Sequence, residues 1–338
     1  MRIGYFLSSE ENSPSELLLQ ARLAEESGFQ GLWISDHLHP WNDEQGHSPF
    51  VWSMLGALAQ ATSSMKVTTA VTCPTIRLHP AIVAHAAATS AVLLEGRFAL
   101  GVGSGEALNE HVHGDRWPPA SERLEMLEEA VAVIRLLWEG GVQSHRGEHY
   151  RVDHARIYDL PKEPPPIIVS GFGPQSIALA ARIGDGFATV KPDRDAVETF
   201  RSAASGGGRK LVAGGTKVCW GDDEAACRKT AYRLWPNEGL PGELAQILPT
   251  PAHFEQAAEL VTEDMVADAI PCGPDLERQI ESFEAYAKAG FDELYVQQVG
   301  VADERFFETY ANEVLPRFHD EKAGGGQGGA GDRAHTHA

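Results

Sequence analysis

Eight runs of strand-like residues recur along this chain, separated by helix-like patterns: RIGYFLSS, GLWISD, KVTTAVT, RFALGVG, PPIIVSG, DGFATV, KLVAGGTKVCW and ELYVQQV. They are rich in Val, Ile and aromatic residues and apolar on both faces, and strands of that kind separated by helices imply a parallel sheet covered on both sides. Eight such units predict an α/β protein closed into a (β/α)8 TIM barrel, which needs ~250 residues. The chain has 338 residues, and the surplus fits two insertions, at about 141–164 and 236–270, within one barrel domain over 1–320. An open doubly wound sheet is the alternative. The glycine-rich residues 321–338 predict a disordered tail, and Gly206 to Gly208 a mobile surface loop.

Helix boundaries are signalled locally. Ser13 can cap a first helix with Pro14 at its first position, Glu16 placed for a capping box and Gly28 to stop it. Further helices are expected to start at Pro49, Pro80 and Pro174. In SERLEMLEEAVAVIRLLWEGG, Leu124, Leu127, Val131, Ile134 and Trp138 share one face, which predicts an amphipathic helix docked on the barrel.

Charge narrows the partners. With 28 Lys+Arg against 48 Asp+Glu the net charge is −20, which argues against a nucleic-acid footprint or a polybasic membrane patch. Small molecules and further copies of the chain are the expected partners. The four cysteines, Cys73, Cys219, Cys227 and Cys272, form no C-x-x-C pair and read as reduced thiols. The beginning MRIGYFLSSEE lacks the pattern of a signal peptide, and no apolar run approaches the ~18 residues of a membrane span, so a cytoplasmic location is expected. His335 and His337 read as part of a solvated end rather than a metal site.

In a barrel of this kind function collects at the C-terminal ends of the strands. The rule gathers Ser8 and Ser9, Asp36 to Trp41, Thr72 to Arg77, Gly103 to Asn109, Ser170 to Gly173, and Lys191 at one mouth. WISDHLHPW draws notice because buried polar groups cost free energy unless partnered, and packing alone has no need of an acid, two imidazoles and an indole there. GVGSGEALNEH follows the fourth strand rather than the first, so it is no dinucleotide fingerprint; Val102 stands where a nucleophile elbow needs glycine, so Ser104 is not read as a nucleophile. His111 and His113 lack a third ligand, and no metal is expected.

WISDHLHPW, TTAVTCPTIRLHPAIVAHAAAT, EGRFALGVGSGEALNEH, LLWEGGVQSHRGEHYRV and PPIIVSGFGPQSIALAARIGDGF together resemble the bacterial-luciferase-like superfamily, and within it the coenzyme F420-dependent branch typified by glucose-6-phosphate dehydrogenase. The likeness runs from about Arg2 to Phe318. It implies a luciferase-like TIM barrel, commonly a homodimer, that transfers a hydride between a deazaflavin and an alcohol, hemiacetal or carbonyl. Catalytic roles are implied for His37 as general base, Trp41 beside the ring and Glu106 at its pyrimidine edge. Cofactor contacts are implied for Asp36, Gly105 and Asn109, for Ala70 and Val71 at a non-proline cis peptide, and for Ser170, Gly171, Phe172 and Gly173 around a phosphate. An imidazole suits the base because its ordinary pKa, about 6.5, lies near neutral pH.

Sugar-phosphate members clamp their substrate with several cations. This chain offers Lys191 and Arg194, with Gln256 and Asp268 at the other two positions, so a neutral substrate is expected. Two alternatives remain: an FMN-dependent monooxygenase on the same fold, and a non-catalytic barrel subunit.

Overall fold

The computed structural model describes residues 1–204 and 209–319; the expected loop at Gly206 to Gly208 and the tail with His335 and His337 lie outside them. Ten strands follow one another: β1 (Arg2–Leu7), β2 (Leu32–Ile34), β3 (Val67–Thr69), β4 (Phe98–Val102), β5 (Gln143–Arg146), β6 (Arg151–Ala155), β7 (Ile167–Ser170), β8 (Gly186–Thr189), β9 (Leu211–Val218) and β10 (Glu293–Gln298). Eight close a barrel in the order β1-β10-β9-β8-β7-β4-β3-β2, while β5 and β6 pair apart from it. Every barrel pairing is parallel, and Arg2 opposite Glu293 closes the ring. All eight expected runs supply a barrel strand.

Helices cover the barrel: α1 (Pro14–Glu26), α2 (Val51–Ala61), α3 (Pro80–Leu93), α4 (Ala107–Glu110), α5 (Ala120–Trp138), α6 (Pro174–Ile183), α7 (Arg194–Ala203) and α8 (Glu224–Leu234) precede the second insertion. Ser13 caps α1 through a capping box with Glu16, as its sequence predicts. Proline opens α3 and α6, but α2 begins at Val51 with Phe50 in extended backbone at its cap, so Pro49 lies before the helix rather than at its start. On α5, Leu127, Val131, Ile134 and Trp138 are buried against the barrel. Each such side chain contributes ~1.5–3 kcal/mol of apolar burial.

Inside the barrel, Trp33, Ile168, Ala188, Ala213 and Tyr295 pack as a plug, with Trp33 and Tyr295 stacked at 4.5 Å. Gly4 faces that plug, where a Cβ would lie 2.5 Å from the Tyr295 ring. Large rings thus fill the floor and leave the C-terminal mouth for polar groups.

The first insertion carries the antiparallel β5–β6 hairpin, which its polar residues did not announce as strands. Glu129 on α5 anchors it, accepting bonds from the Glu148, His149 and Tyr150 backbone N–H groups and from His145. The second insertion is a 3-10 turn, Pro236–Gly239, followed by α9 (Leu244–Ile247), α10 (Pro251–Ala258) and α11 (Glu263–Ala269). Beneath it a small core gathers Cys219, Cys227, Leu234, Trp235, Val266 and Cys272. Three cysteines distant in sequence therefore meet there, all of them free. The barrel is completed by α12 (Leu276–Ala289) and β10. No helix among the described residues is long and apolar enough to cross a membrane.

Candidate active site

The segment after β2 turns across the barrel mouth. His37 Nδ1 lies 3.2 Å from the His39 carbonyl, an acceptor only, so Nδ1 carries a proton and the ring turns Nε2 toward the acids of the mouth. Nε2 is 3.5 Å from Glu10 Oε1 and 3.6 Å from Glu106 Oε1. Trp41 lies beside the imidazole, ring centroids 5.1 Å apart, and its other side meets Phe254 of α10 at 5.1 Å. Two carboxylates and an indole from three elements thus surround one basic nitrogen.

Asn109 fixes this arrangement. Its Oδ1 accepts from the Leu38 and His39 backbone N–H groups, and its Nδ2 donates to Glu106 Oε1 at 2.7 Å. One buried amide therefore ties the loop that carries His37 to the loop that carries Glu106. Gly105 permits the turn before Glu106: its φ is +80°, and a Cβ would lie 2.5 Å from Cys73 Sγ.

Asp36 faces inward. Its carboxylate accepts from Thr72 Oγ1 and from the Arg77 guanidinium, both at 2.8 Å. Arg77 also lies 3.5 Å from Glu110, which accepts the Ile76 and Arg77 backbone N–H groups. Burial pushes Glu110 up to about 7 against the pull of those donors and the guanidinium. This acid–base network underlies the mouth and joins the loops after β2, β3 and β4.

Two acids that the sequence reading passed over stand just beyond Ser8 and Ser9. Glu10 Oε2 accepts from the hydroxyls of Ser8 and Ser35, which aims Oε1 toward His37. Glu11 accepts from Trp235 Nε1, Gln297 Nε2 and the Gly300 N–H, and burial raises it to about 7 despite those donors. The strand-end rule reaches both when extended four residues past β1.

On the opposite rim, Phe172, exposed to 59%, follows β7, and the Phe172 and Gly173 N–H groups both donate to Ser176 Oγ at 3.1 Å. A Cβ on Gly173 would point into open space. Ser170 and Gly171 complete the turn, Gly171 packing closely on Ser176. The Ala70–Val71 peptide is cis, and Gly103 lies against Val71. Leu38, Phe172 and Val190, at the ends of three barrel strands, are large apolar residues left exposed. An apolar rim beside backbone donors fits a flat ring with a phosphorylated tail.

The expected substrate residues are more scattered. Lys191 is exposed after β8, and Gln256 is exposed on α10. Arg194 donates to the Lys288 carbonyl of α12, between outer helices. Lys217, which the strand reading did not single out, points into the mouth from the end of β9 and donates to Glu238. Its period-two spacing from Leu211 and Ala213 marks it as inward-facing. His111 and His113 bond to the Ala107 and Arg77 carbonyls, and no metal-binding cluster occurs among the described residues.

Against known proteins, the profile of the luciferase-like monooxygenase family matches residues 1–293. The chain is 36% identical over 328 residues to the F420-dependent glucose-6-phosphate dehydrogenase of Nakamurella multipartita, covering 94% of this chain and 96% of that one. It is 39% identical over 295 residues to the F420-dependent hydroxymycolic acid dehydrogenase of Mycobacterium tuberculosis, covering 85% and 80%. Among solved structures it resembles an F420-dependent secondary alcohol dehydrogenase in complex with an F420–acetone adduct, with TM-score 0.85 and 29% identity, over 92% of this chain and 97% of that one.

Proposed function

The chain belongs to the luciferase-like monooxygenase family, and from that premise we propose that it is an F420-dependent oxidoreductase acting between the deazaflavin and a small alcohol, hemiacetal or carbonyl, with His37 as the proton-transferring base. One observation carries the reading: the Nε2 nitrogen of His37 lies between Glu10 and Glu106 beside Trp41, at the mouth of the barrel. Three F420-dependent relatives support the cofactor.

F420, when bound there, would supply the hydride chemistry. The protein's own residues do the rest. His37 Nε2 takes the hydroxyl proton in the oxidative direction and returns it in the reductive one, while the His39 carbonyl holds the ring in the required tautomer. Glu10 and Glu106 stabilise the imidazolium that forms, at 3.5 and 3.6 Å. Asn109 keeps Glu106 and the His37 loop in register. Trp41 walls the ring pocket with Ala70, Val71 and Gly105, over the buried Asp36 network. Ser170 to Gly173 would receive the phosphate, with Ser176 yielding the two N–H groups. Lys191 and Gln256 are the proposed outer substrate contacts, with Arg194 behind them.

A homodimer is proposed as well, supported by exposed apolar side chains on the outer helices either side of α2, Leu19 on α1 and Ile82 and Val92 on α3. Sedimentation velocity would reveal it.

Titration with F420 and with FMN, read by cofactor and tryptophan fluorescence, tests the cofactor. Saturable F420 binding followed by cofactor reduction with 2-propanol is expected. Submicromolar FMN binding without F420 binding would turn the reading to a flavin monooxygenase, and binding of neither to a non-catalytic barrel.

A further inference from the structure

Lys217 and its surroundings bear on the substrate. The residue lies on β9 opposite Gln297 of β10, in the inward-facing series above Gly215 and the Trp33–Tyr295 plug. Its ammonium rests over the Trp235 ring, 4.1 Å from the centroid, and is bonded to Glu238 Oε1 at 2.7 Å. Trp235 in turn donates to Glu11, whose chain neighbour Glu10 faces His37. The lysine is thus linked to the proposed base through Trp235, Glu11 and Glu10, its charge met by a carboxylate that the second insertion delivers.

A phosphorylated substrate taken out of water needs cations to receive it. Here an inward-facing mouth cation is already paired with Glu238, and the side chains beside His37 Nε2 are the acids Glu10 and Glu106. We propose that Glu238 takes the place of a substrate anion on Lys217, so that the site accepts uncharged hydroxyl or carbonyl compounds and rejects phosphorylated ones. The proposal rests on the catalytic reading above for the position of the pocket and assigns a specificity-determining role to the Lys217–Glu238 pair, with Trp235 steering the lysine by its cation–π contact.

The test titrates the full-length chain without cofactor, reading tryptophan fluorescence, with glucose 6-phosphate and with glucose. The variants are Glu238→Gln, Glu238→Ala as a second release of the lysine, and the double variant Lys217→Met with Glu238→Gln; each is checked for wild-type-like thermal unfolding. Glucose 6-phosphate should bind the two single variants at least about tenfold more tightly than wild type, the scale of one charge-assisted contact. Glucose should change little, and the double variant should lose the gain. Equal glucose 6-phosphate affinity in wild type and both single variants, or a gain that survives Lys217→Met, overturns the proposal. Reduction of F420 by 2-propanol is assayed separately, so a failure there would sink the cofactor reading while leaving the anion result to be judged by itself.

Discussion

At the scale of single residues, His37 and Asn109 separate chemistry from positioning. Replacing His37 by Ala removes the proton acceptor but none of the bonds that Asn109 makes, since those go to the backbone of Leu38 and His39. Turnover of an alcohol should therefore fall by ~10²-fold or more, the usual worth of a placed base, with the F420 dissociation constant little changed. Unchanged turnover would remove His37 from the proton path. Asn109→Ala works differently, leaving two part-buried backbone donors without their acceptor, a cost of ~1 kcal/mol for each lost bond. The melting temperature should drop as well as turnover. Asn109→Asp restores the acceptors but sets a second carboxylate against Glu106, so it should recover stability more than activity; equal loss in both variants would contradict this division.

Among the elements, the second insertion is held to the barrel by a few defined contacts. The carbonyl of Leu234 at the end of α8 accepts from Asn42 and Gln45, Glu255 accepts from the Asp43 N–H, and Phe254 meets the Trp41 ring. The loop that carries His37 and Trp41 thus leans on the insertion from one side and on Asn109 from the other. Phe254→Ala removes a ring that is 2% exposed, a class of change that costs ~3–5 kcal/mol in a well-packed core. Here the ring packs on Trp41, at the margin of the small core beneath the insertion. Hydrogen exchange should accelerate at residues 41–45 and across 236–270 while the barrel strands keep their protection. Uniform acceleration throughout would mean that insertion and barrel unfold as one unit.

For the whole molecule, the buried acids set the direction of the pH dependence. Glu11 and Glu110, raised by burial to about 7, keep a proton in the folded chain that the unfolded chain gives up near 4.5. The folded state binds more protons between those values, so their contribution is complete below about 4.5 and is lost as pH rises toward 7. For Glu110, 1% exposed, the shift corresponds to on the order of 3 kcal/mol. Glu25 acts in the opposite sense: burial raises it, but donors from Ser63, Ser64 and Met65 prevail and hold it at about 2, so its contribution is lost as pH falls below 4.5. A formal charge of −20 adds self-repulsion on the alkaline side. Thermal unfolding across pH 4 to 9 should show greatest stability near pH 5 and a decline to pH 8, and Glu110→Gln should flatten that decline; a melting temperature that rises over the same interval would contradict the assignment.

The sequence by itself determined the barrel and most of its mouth. Strands apolar on both faces and separated by helices have few ways to close, and the period of two together with the strand-end rule brings His37, Glu106 and Asn109 to one rim. Tertiary structure alone decided what each polar group touches. Asp36 reads as a contact for the cofactor yet lies beneath the mouth, bonded to Thr72 and Arg77, because Arg77 reaches back across the loop after β3. Glu10 gained its aim from Ser35 just past β2, and Lys217 met Glu238 only because the second insertion folds over β9. Periodicity reports which face a residue takes and is silent about partners tens or hundreds of residues away, and the chemistry of this site is set by such partners.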